Sequence, residues 1–463
     1  MDNVPLVIGV LVMLIALLAI RMPVAFALGL SGALGLLLLR DFNFATNMLG
    51  SRPFDETSRF TLTIIPMFIL MGMLAVKARI AEQVYAVAAH LFRKLPGGLG
   101  VATVMACAGF AAVSGSSIGT AATMSKLSVG EMRKHGYPTS MATATVAVAG
   151  TLGVLIPPSV ILVLYAIMTG ESVARVLAAG IIPGIISTLA YAAYIMWALP
   201  ASQKKAVKKA EQKAAKLGEA LDQAALSANG AVAVAPEKVR LRDLPFRGVV
   251  RVGILFFIVL GGMYSGLFTP TESAAIGALA AMVMLIAELF KDGWRAILNG
   301  IIEGLKETAG TTSMVFAIVV GSSILSVFFV AARVPQLLTN AVVDMGMNPH
   351  LTMGLLLLTL LPLGMALESI SILVITVPLL YPVAEALGFN GIWLAIMIVK
   401  LIEIGMVTPP VGINCFVVAG TSGVKVSEIF KGVLPFVIVD LLVCALFFFV
   451  PEIVLWLPSM VTF

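Results

Sequence analysis

Gly150-Thr151-Leu152-Gly153-Val154-Leu155-Ile156-Pro157-Pro158-Ser159 and Glu403-Ile404-Gly405-Met406-Val407-Thr408-Pro409-Pro410-Val411-Gly412-Ile413-Asn414 are the two stretches that decide the fold. Each sets a Pro-Pro pair, with a glycine four residues earlier, inside a run otherwise apolar enough to be buried. Proline has no N–H, so the carbonyl one helical turn before it loses its partner. Pro157 and Pro158 would free Gly153 and Val154; Pro409 and Pro410 would free Gly405 and Met406. A bare carbonyl in hydrocarbon costs several kcal/mol, so such a break survives only where it is buried in protein or lines a wet cavity. Both stretches read as broken helices.

The surroundings are membrane-like. The 463 residues are 60% hydrophobic and 12% charged, with a mean hydropathy of +1.06. Soluble domains carry about twice that share of charge. Apolar runs recur from end to end at lengths that suit a bilayer core of roughly 30 Å. Spans are expected at 4–20, 23–40, 60–76, 139–169, 173–198, 249–264, 272–290, 310–331, 390–420 and 430–456. The first follows Met1 directly, with Asp2 where a signal peptide would carry positive charge, so it reads as a retained span. With the N-terminus outside, only Arg40, Arg52, Arg59, Arg175 and Arg333 of the 30 Lys and Arg fall outside, and Lys400 within a span. The rest fall inside, as resistance of cations to translocation requires. Cys107, Cys415 and Cys444 lie in apolar runs without metal-ligand spacing and read as core residues.

Shifting the sequence by 252 positions aligns Gly136 with Gly388 and continues without a gap for nearly fifty residues. Gly153 meets Gly405, Pro157-Pro158 meets Pro409-Pro410, Ile161 meets Ile413, Gly180 meets Gly432, and Pro183 meets Pro435. Upstream, Ser117 meets Ser369. Under the expected topology the first copy runs outward and the second inward, which predicts inverted repeats with a site at their interface. The fold class expected is an all-α polytopic membrane protein of inverted repeats, with two re-entrant hairpins and two Pro-Pro-broken helices. The hairpins are 101–125 and 352–384. Residues 77–98 and 291–308 carry apolar stripes beside charged faces and read as matching interfacial helices. The segment 200–248 reads as a basic cytoplasmic loop, opening with Lys204, Lys205, Lys208, Lys209, Lys213 and Lys216 and passing through a linker from Ser227 to Glu237.

Oxygen-bearing and small residues gather where the chain is broken. The candidate site comprises Ser114, Gly115, Ser116 and Ser117 at the first hairpin tip and Gly364, Glu368 and Ser369 at the second. Thr151, Gly153, Val154, Pro157, Pro158 and Ser159 join them from the first break. Glu403, Gly405, Met406, Thr408, Pro409, Pro410 and Asn414 come from the second. Carbonyl and hydroxyl oxygens are ligands for a hard cation such as Na⁺, and half-helix N-termini suit a carboxylate. Sodium is expected mainly at the carbonyls around Gly153 and Gly405. An acid at membrane depth such as Glu368 is a functional candidate by default. Lys400 and Glu403, three apart on one helix face, read first as a buried ion pair, and alternatively leave Glu403 to the ion site. Thr269-Pro270-Thr271-Glu272 reads as a structural helix start. Small residues can equally serve close helix packing.

Two other classes compete. Gly115-Ser116-Ser117-Ile118-Gly119 fits the G-x-S-x-G pattern of a serine hydrolase, which also needs a strand, a helix and a histidine base. The histidines, His90, His135 and His350, all fall in polar connections. No zinc, phosphate-loop or dinucleotide motif is present, and neither a resident cofactor nor nucleic-acid binding is expected. A stand-alone sodium–dicarboxylate symporter is the closer alternative.

The two Pro-Pro stretches, Pro66-Met67-Phe68-Ile69-Leu70-Met71-Gly72, the Ser114–Ser117 run and Gly266-Leu267-Phe268-Thr269-Pro270-Thr271-Glu272 resemble, in order, the large membrane subunit of tripartite ATP-independent periplasmic (TRAP) transporters. The resemblance covers nearly everything outside 201–247. It implies an elevator mechanism in the bacterial inner membrane, with an organic anion (a C4-dicarboxylate, sugar acid or keto acid) carried together with Na⁺. It also implies a small four-helix membrane subunit and a periplasmic substrate-binding protein as separate chains. The expected division is scaffold helices at 1–76, 170–199, 249–290 and 309–331, and transport elements at 99–169 and 350–421, with 422–463 as the C-terminal helix. The family's second hairpin carries an aspartate where this chain has Glu368.

Overall fold

The computed structural model describes residues 3–217, 244–344 and 346–461. The Ser227–Glu237 linker falls outside the described residues. Among those described, every regular element is a helix, and nine helical runs are long and apolar enough to cross a membrane.

Each Pro-Pro stretch breaks its helix as the missing N–H groups require. Broken helix 1 runs through Thr139–Gly150 and Leu152–Leu155, and resumes as Val160–Thr169. Broken helix 2 is Gly391–Val407 followed by Ile413–Ser422. Both Pro-Pro bonds are cis, and Gly136 and Gly388 turn the chain into the two copies with the same left-handed backbone. The copies are antiparallel. The Tyr165 hydroxyl, late in broken helix 1, donates to the Gly391 carbonyl at the start of broken helix 2 at 2.7 Å. Conversely Thr139–Gly150 packs on Ile413–Ser422. These helices form the centre of the molecule: every residue of Gly391–Val407 is buried.

Each break is flanked by a hairpin. Hairpin 1 has arms Gly98–Ser114 and Ser117–Met124, the second continuing as a π turn through Val129. Hairpin 2 rises through Pro349–Leu358 and Leu360–Ala366 and returns as Ser369–Ala386. At the first tip Gly115 adopts φ +61°, and a side chain there would meet the Pro158 carbonyl at 2.9 Å, so only glycine fits.

A second group of helices packs outside this centre. Val24–Leu39 lies along Trp294–Ala331 so closely that a Cβ on Gly32 would strike the Leu325 backbone at 2.6 Å. Small residues at such crossings replace the hydrophobic drive that lipid does not supply. Ile64–Lys77 packs on Pro270–Leu289 and on the long helix. Lys77 bridges to Glu303 at 2.8 Å and Glu307 at 3.0 Å, tying the end of Ile64–Lys77 to the N-terminal half of the long helix. Thr269 and Glu272 close a reciprocal capping box, the structural role expected of them.

Three expectations are corrected. The 291–308 stretch is not a separate surface helix but the start of an uninterrupted helix, Trp294–Ala331, because nothing between Gly293 and Ala332 reverses the backbone. Its counterpart Ile80–Phe92 is separate, set off by Arg79 at φ +56°. The segment expected as a loop from 200 begins as helix: its lysines from 204 to 216 lie on the direct continuation of Val173–Leu217. The last span ends at Phe449, where Pro451 precedes a new helix, Glu452–Ser459. Val173–Leu217 packs on hairpin 1, broken helix 2, Val426–Phe449 and the last helix, Glu452–Ser459.

Candidate functional site

The tips of both hairpins meet at one carboxylate. Ser117 and Ser369, equivalent under the repeat, each begin the helix after a tip, and each aims its hydroxyl at Glu403 Oε1. The distances are 3.5 Å and 2.7 Å. Glu403 sits on the buried face of broken helix 2, one turn and a half before Pro409. Its other oxygen, Oε2, is buried without a hydrogen-bond partner. Asn414, the second residue after the break, is wholly buried with neither amide atom satisfied. Buried polar atoms are nearly always partnered, so unpartnered ones mark a place for an ion or water.

Repeat-equivalent glycines bring the hairpins to the breaks. A Cβ on Gly153 would lie 2.5 Å from the Ser116 carbonyl and 2.8 Å from Thr120 Oγ1 in hairpin 1. A Cβ on Gly405 would lie 2.6 Å from the Gly364 Cα in hairpin 2. The nearest contact in each case is with backbone, which cannot step aside cheaply. Gly405→Ala is therefore expected to force hairpin 2 off the broken helix, with a stability loss of about 1–3 kcal/mol from overpacking. A lower midpoint of thermal unfolding in detergent, with Gly253→Ala in open space as control, checks it.

The remaining candidate residues divide. Ser116 and Ser159 cap the half-helices that follow them, accepting from Gly119 N and Leu162 N, so their hydroxyl oxygens face backbone. Ser114 pairs with Thr120 at 2.8 Å. Thr151 and Thr408 donate back to the carbonyls of Val148 and Ile404, both at 2.6 Å, leaving oxygen lone pairs for another partner. Met406 places its sulfur against the Ser369 hydroxyl. Glu368 stays in its own turn, accepting from Ser371 at 3.1 Å, and does not join the Glu403 cluster.

The carbonyls freed by the two Pro-Pro pairs differ in their hydrogen bonding. Among the described residues no donor reaches the carbonyls of Gly153 and Val154, but Thr408 N donates to Gly405 O at 2.9 Å. The end of the second half-helix tightens into an i to i+3 turn, a common way to satisfy a terminal carbonyl.

Lys400 does not pair with Glu403. Its four-carbon stem carries Nζ between two neighbouring helices, where it meets Asp440 Oδ1 of Val426–Phe449, and Ser187 Oγ at 3.0 Å and Tyr191 OH at 3.4 Å of Val173–Leu217. Tyr191 also donates to Asp440 at 2.6 Å. All three ammonium hydrogens thus find acceptors away from Glu403, in a pair whose side chains are 3% and 1% exposed. The sequence reading did not single out Asp440, although an acid inside an apolar span is the signal that could have found it. Nor does Ser117 have a histidine beside it; its partner is Glu403, so the hydrolase arrangement is not formed.

Inverted broken helices flanked by hairpins, among nine helical runs of the described residues long and apolar enough to cross a membrane, are the architecture of a polytopic membrane transporter. The sequence model described as "Tripartite ATP-independent periplasmic transporter, DctM component" matches residues 11–453, and the chain belongs to that family. It is 32% identical to the C4-dicarboxylate TRAP transporter large permease protein DctM of Vibrio cholerae, over 97% of this chain and 96% of that one. It is 31% identical to the sialic acid TRAP transporter large permease protein SiaM of the same organism, over 96% and 97%. The fold is similar to that of the YdaH transporter of Alcanivorax borkumensis, with TM-score 0.55, 13% identity, and 88% and 87% of the two chains covered. These relatives are permeases: the chain is a multi-pass membrane transporter subunit and not an enzyme.

Proposed function

We propose that this chain is the large subunit of a sodium-coupled importer of a small organic acid, fed by a periplasmic binding protein and completed by a small membrane subunit. The observation that carries the proposal is the buried carboxylate of Glu403, held through Oε1 by Ser117 and Ser369, with Oε2 unpartnered and, among the described residues, no cation of the protein bridged to it. A buried anion without a full set of donors suits a cation, and Na⁺ is the cation its oxygen neighbours fit. Both hairpins touch the same atom, so cation binding is coupled to hairpin position. Moving one charge through 100 mV supplies about 2.3 kcal/mol, enough for two Na⁺ to concentrate an anion strongly.

The relatives that carry C4-dicarboxylates and sialic acid support a carboxylate cargo. We read the hairpins and broken helices as the moving elevator body in the bacterial inner membrane, and the N-terminus as periplasmic. The test is uptake of labelled succinate, N-acetylneuraminate, gluconate and pyruvate into proteoliposomes under an inward Na⁺ gradient. The chain is assayed alone, with its small subunit, and with the binding protein added outside. Uptake only by the complete set, abolished when choline replaces Na⁺, is expected. Uptake by the chain alone would establish a stand-alone symporter instead.

A further inference from the structure

Only five cations lie outside under the topology read above, all arginines, and three of them line one cleft. The cleft encloses about 910 Å³ and is bordered by Arg40, Arg52 and Arg59. One wall is the helix Phe42–Thr57 and the long helix Trp294–Ala331, which contributes Ser326. The other wall is the outer end of broken helix 1 at Thr169 and the return arm of hairpin 2 at Tyr381. Its inner end reaches Val377, eight residues along that arm from Ser369, or ~12 Å at the helical rise. The cleft thus leads from the outer surface toward the Glu403 cluster.

Three arginines meet two acids in its lining, Asp41 and Glu56, which leaves one positive charge in excess. Arg52 and Arg59 share one carboxylate, Glu56, at 3.6 Å and 3.0 Å. The neighbouring Asp41 uses an oxygen to cap Phe42–Thr57 through Phe44 N, and Arg40 makes no ion pair among the described residues. Arginine presents a planar fork that matches a carboxylate, where lysine offers only a point charge. A concave, low-dielectric wall also focuses its field on a small ion in its mouth.

We propose that this cleft is an anion-receiving vestibule, in which Arg40, Arg52 and Arg59 hold the carboxylate of the incoming acid before it reaches the hairpin tips. The inference rests on the organic-acid reading and on the outward placement of Arg40. A lone anchoring role at the lipid surface would not require the three side chains to face one cavity. An acidic protein partner would meet the arginines on a convex surface, not at the mouth of a cleft running inward.

The test uses the complete transporter in proteoliposomes and whichever of succinate, N-acetylneuraminate, gluconate or pyruvate the unaltered protein takes up fastest. Arg40→Gln with Arg59→Gln is expected to lower uptake at subsaturating acid by about three- to ten-fold at low ionic strength, with the rate at saturation retained. High salt should close the gap, since screening removes the advantage being tested. Glu56→Gln, which releases two guanidinium groups, should move KM in the opposite direction, so misfolding of the arginine variant cannot imitate the result. An unchanged KM in both variants, or a loss equal at low and high salt, overturns the vestibule. So does weakened capture of the loaded binding protein by the arginine variant, which would make the patch a protein dock. Absence of uptake of all four acids by the unaltered protein would instead sink the organic-acid reading, and the vestibule with it.

Discussion

Glu403→Gln is expected to abolish sodium-driven uptake while leaving the protein folded. Glutamine matches glutamate in shape, and its amide oxygen can still accept from Ser117 and Ser369, so the contacts between the hairpin tips and broken helix 2 persist. What is lost is the formal charge. A unit charge 4 Å from a cation is worth about 4 kcal/mol at an effective dielectric constant of 20. At 1.4 kcal/mol per decade, that is a loss of about three orders of magnitude in cation affinity. Ser117→Ala and Ser369→Ala each remove a hydroxyl that donates to the charged carboxylate, worth about 1.5–3 kcal/mol for the 2.7 Å bond of Ser369 and less for the 3.5 Å one of Ser117, and should weaken sodium dependence less. Two measurements check this: the Na⁺ concentration for half-maximal uptake, and the rise in unfolding temperature when Na⁺ replaces choline. If Glu403→Gln keeps the sodium-dependent rise of the unaltered protein, the cation is held elsewhere.

The sequence made the site's outline readable because glycine and proline act through backbone chemistry. Gly153 and Gly405 can be matched by counting alone, and the structure shows why both are glycine: each has a hairpin backbone against its Cα. Ser117 and Ser369 could be paired the same way, although nothing in the sequence says that they share one oxygen of Glu403. Side-chain partners on other helices were not readable. Lys400 and Glu403 lie on one face, and spacing favours joining them. The true partner, Asp440, comes from a helix whose rotation about its axis is set by packing, with Gly432 seated against the Ser140 carbonyl. The surface helix Phe42–Thr57 also escaped, because its polar composition resembles a loop and its helical start depends on the Asp41 cap. That omission hid the wall of the arginine cleft.

Asp440→Asn is expected to damage transport beyond its effect on stability. Removing one partner of a buried ion pair typically costs 3–5 kcal/mol, because the other charge is left without compensation. Here the stranded charge has somewhere harmful to go. Lys400 lies three residues before Glu403 on the same helix, and an ammonium released from Asp440 can turn toward the unpartnered Glu403 Oε2. It would then sit where the coupling cation is proposed to bind, as an internal competitor that no gradient can remove. On this argument Asp440, with Tyr191 and Ser187, is a positioning residue whose task is to hold Lys400 away from the ion site. Replacing the pair together, Lys400→Met with Asp440→Leu, removes both charges and substitutes apolar volume, a change that is often neutral or stabilising for buried pairs. The single Asp440→Asn variant should show lowered thermal stability and no sodium-induced stabilisation. The double variant should recover the unfolding temperature and a sodium response. If the double variant folds but responds to Na⁺ no better than the single one, the pair contributes to ion binding directly. If Asp440→Asn keeps its full sodium response, Lys400 does not reach Glu403 and the pair only holds the Val173–Leu217 and Val426–Phe449 helices against broken helix 2.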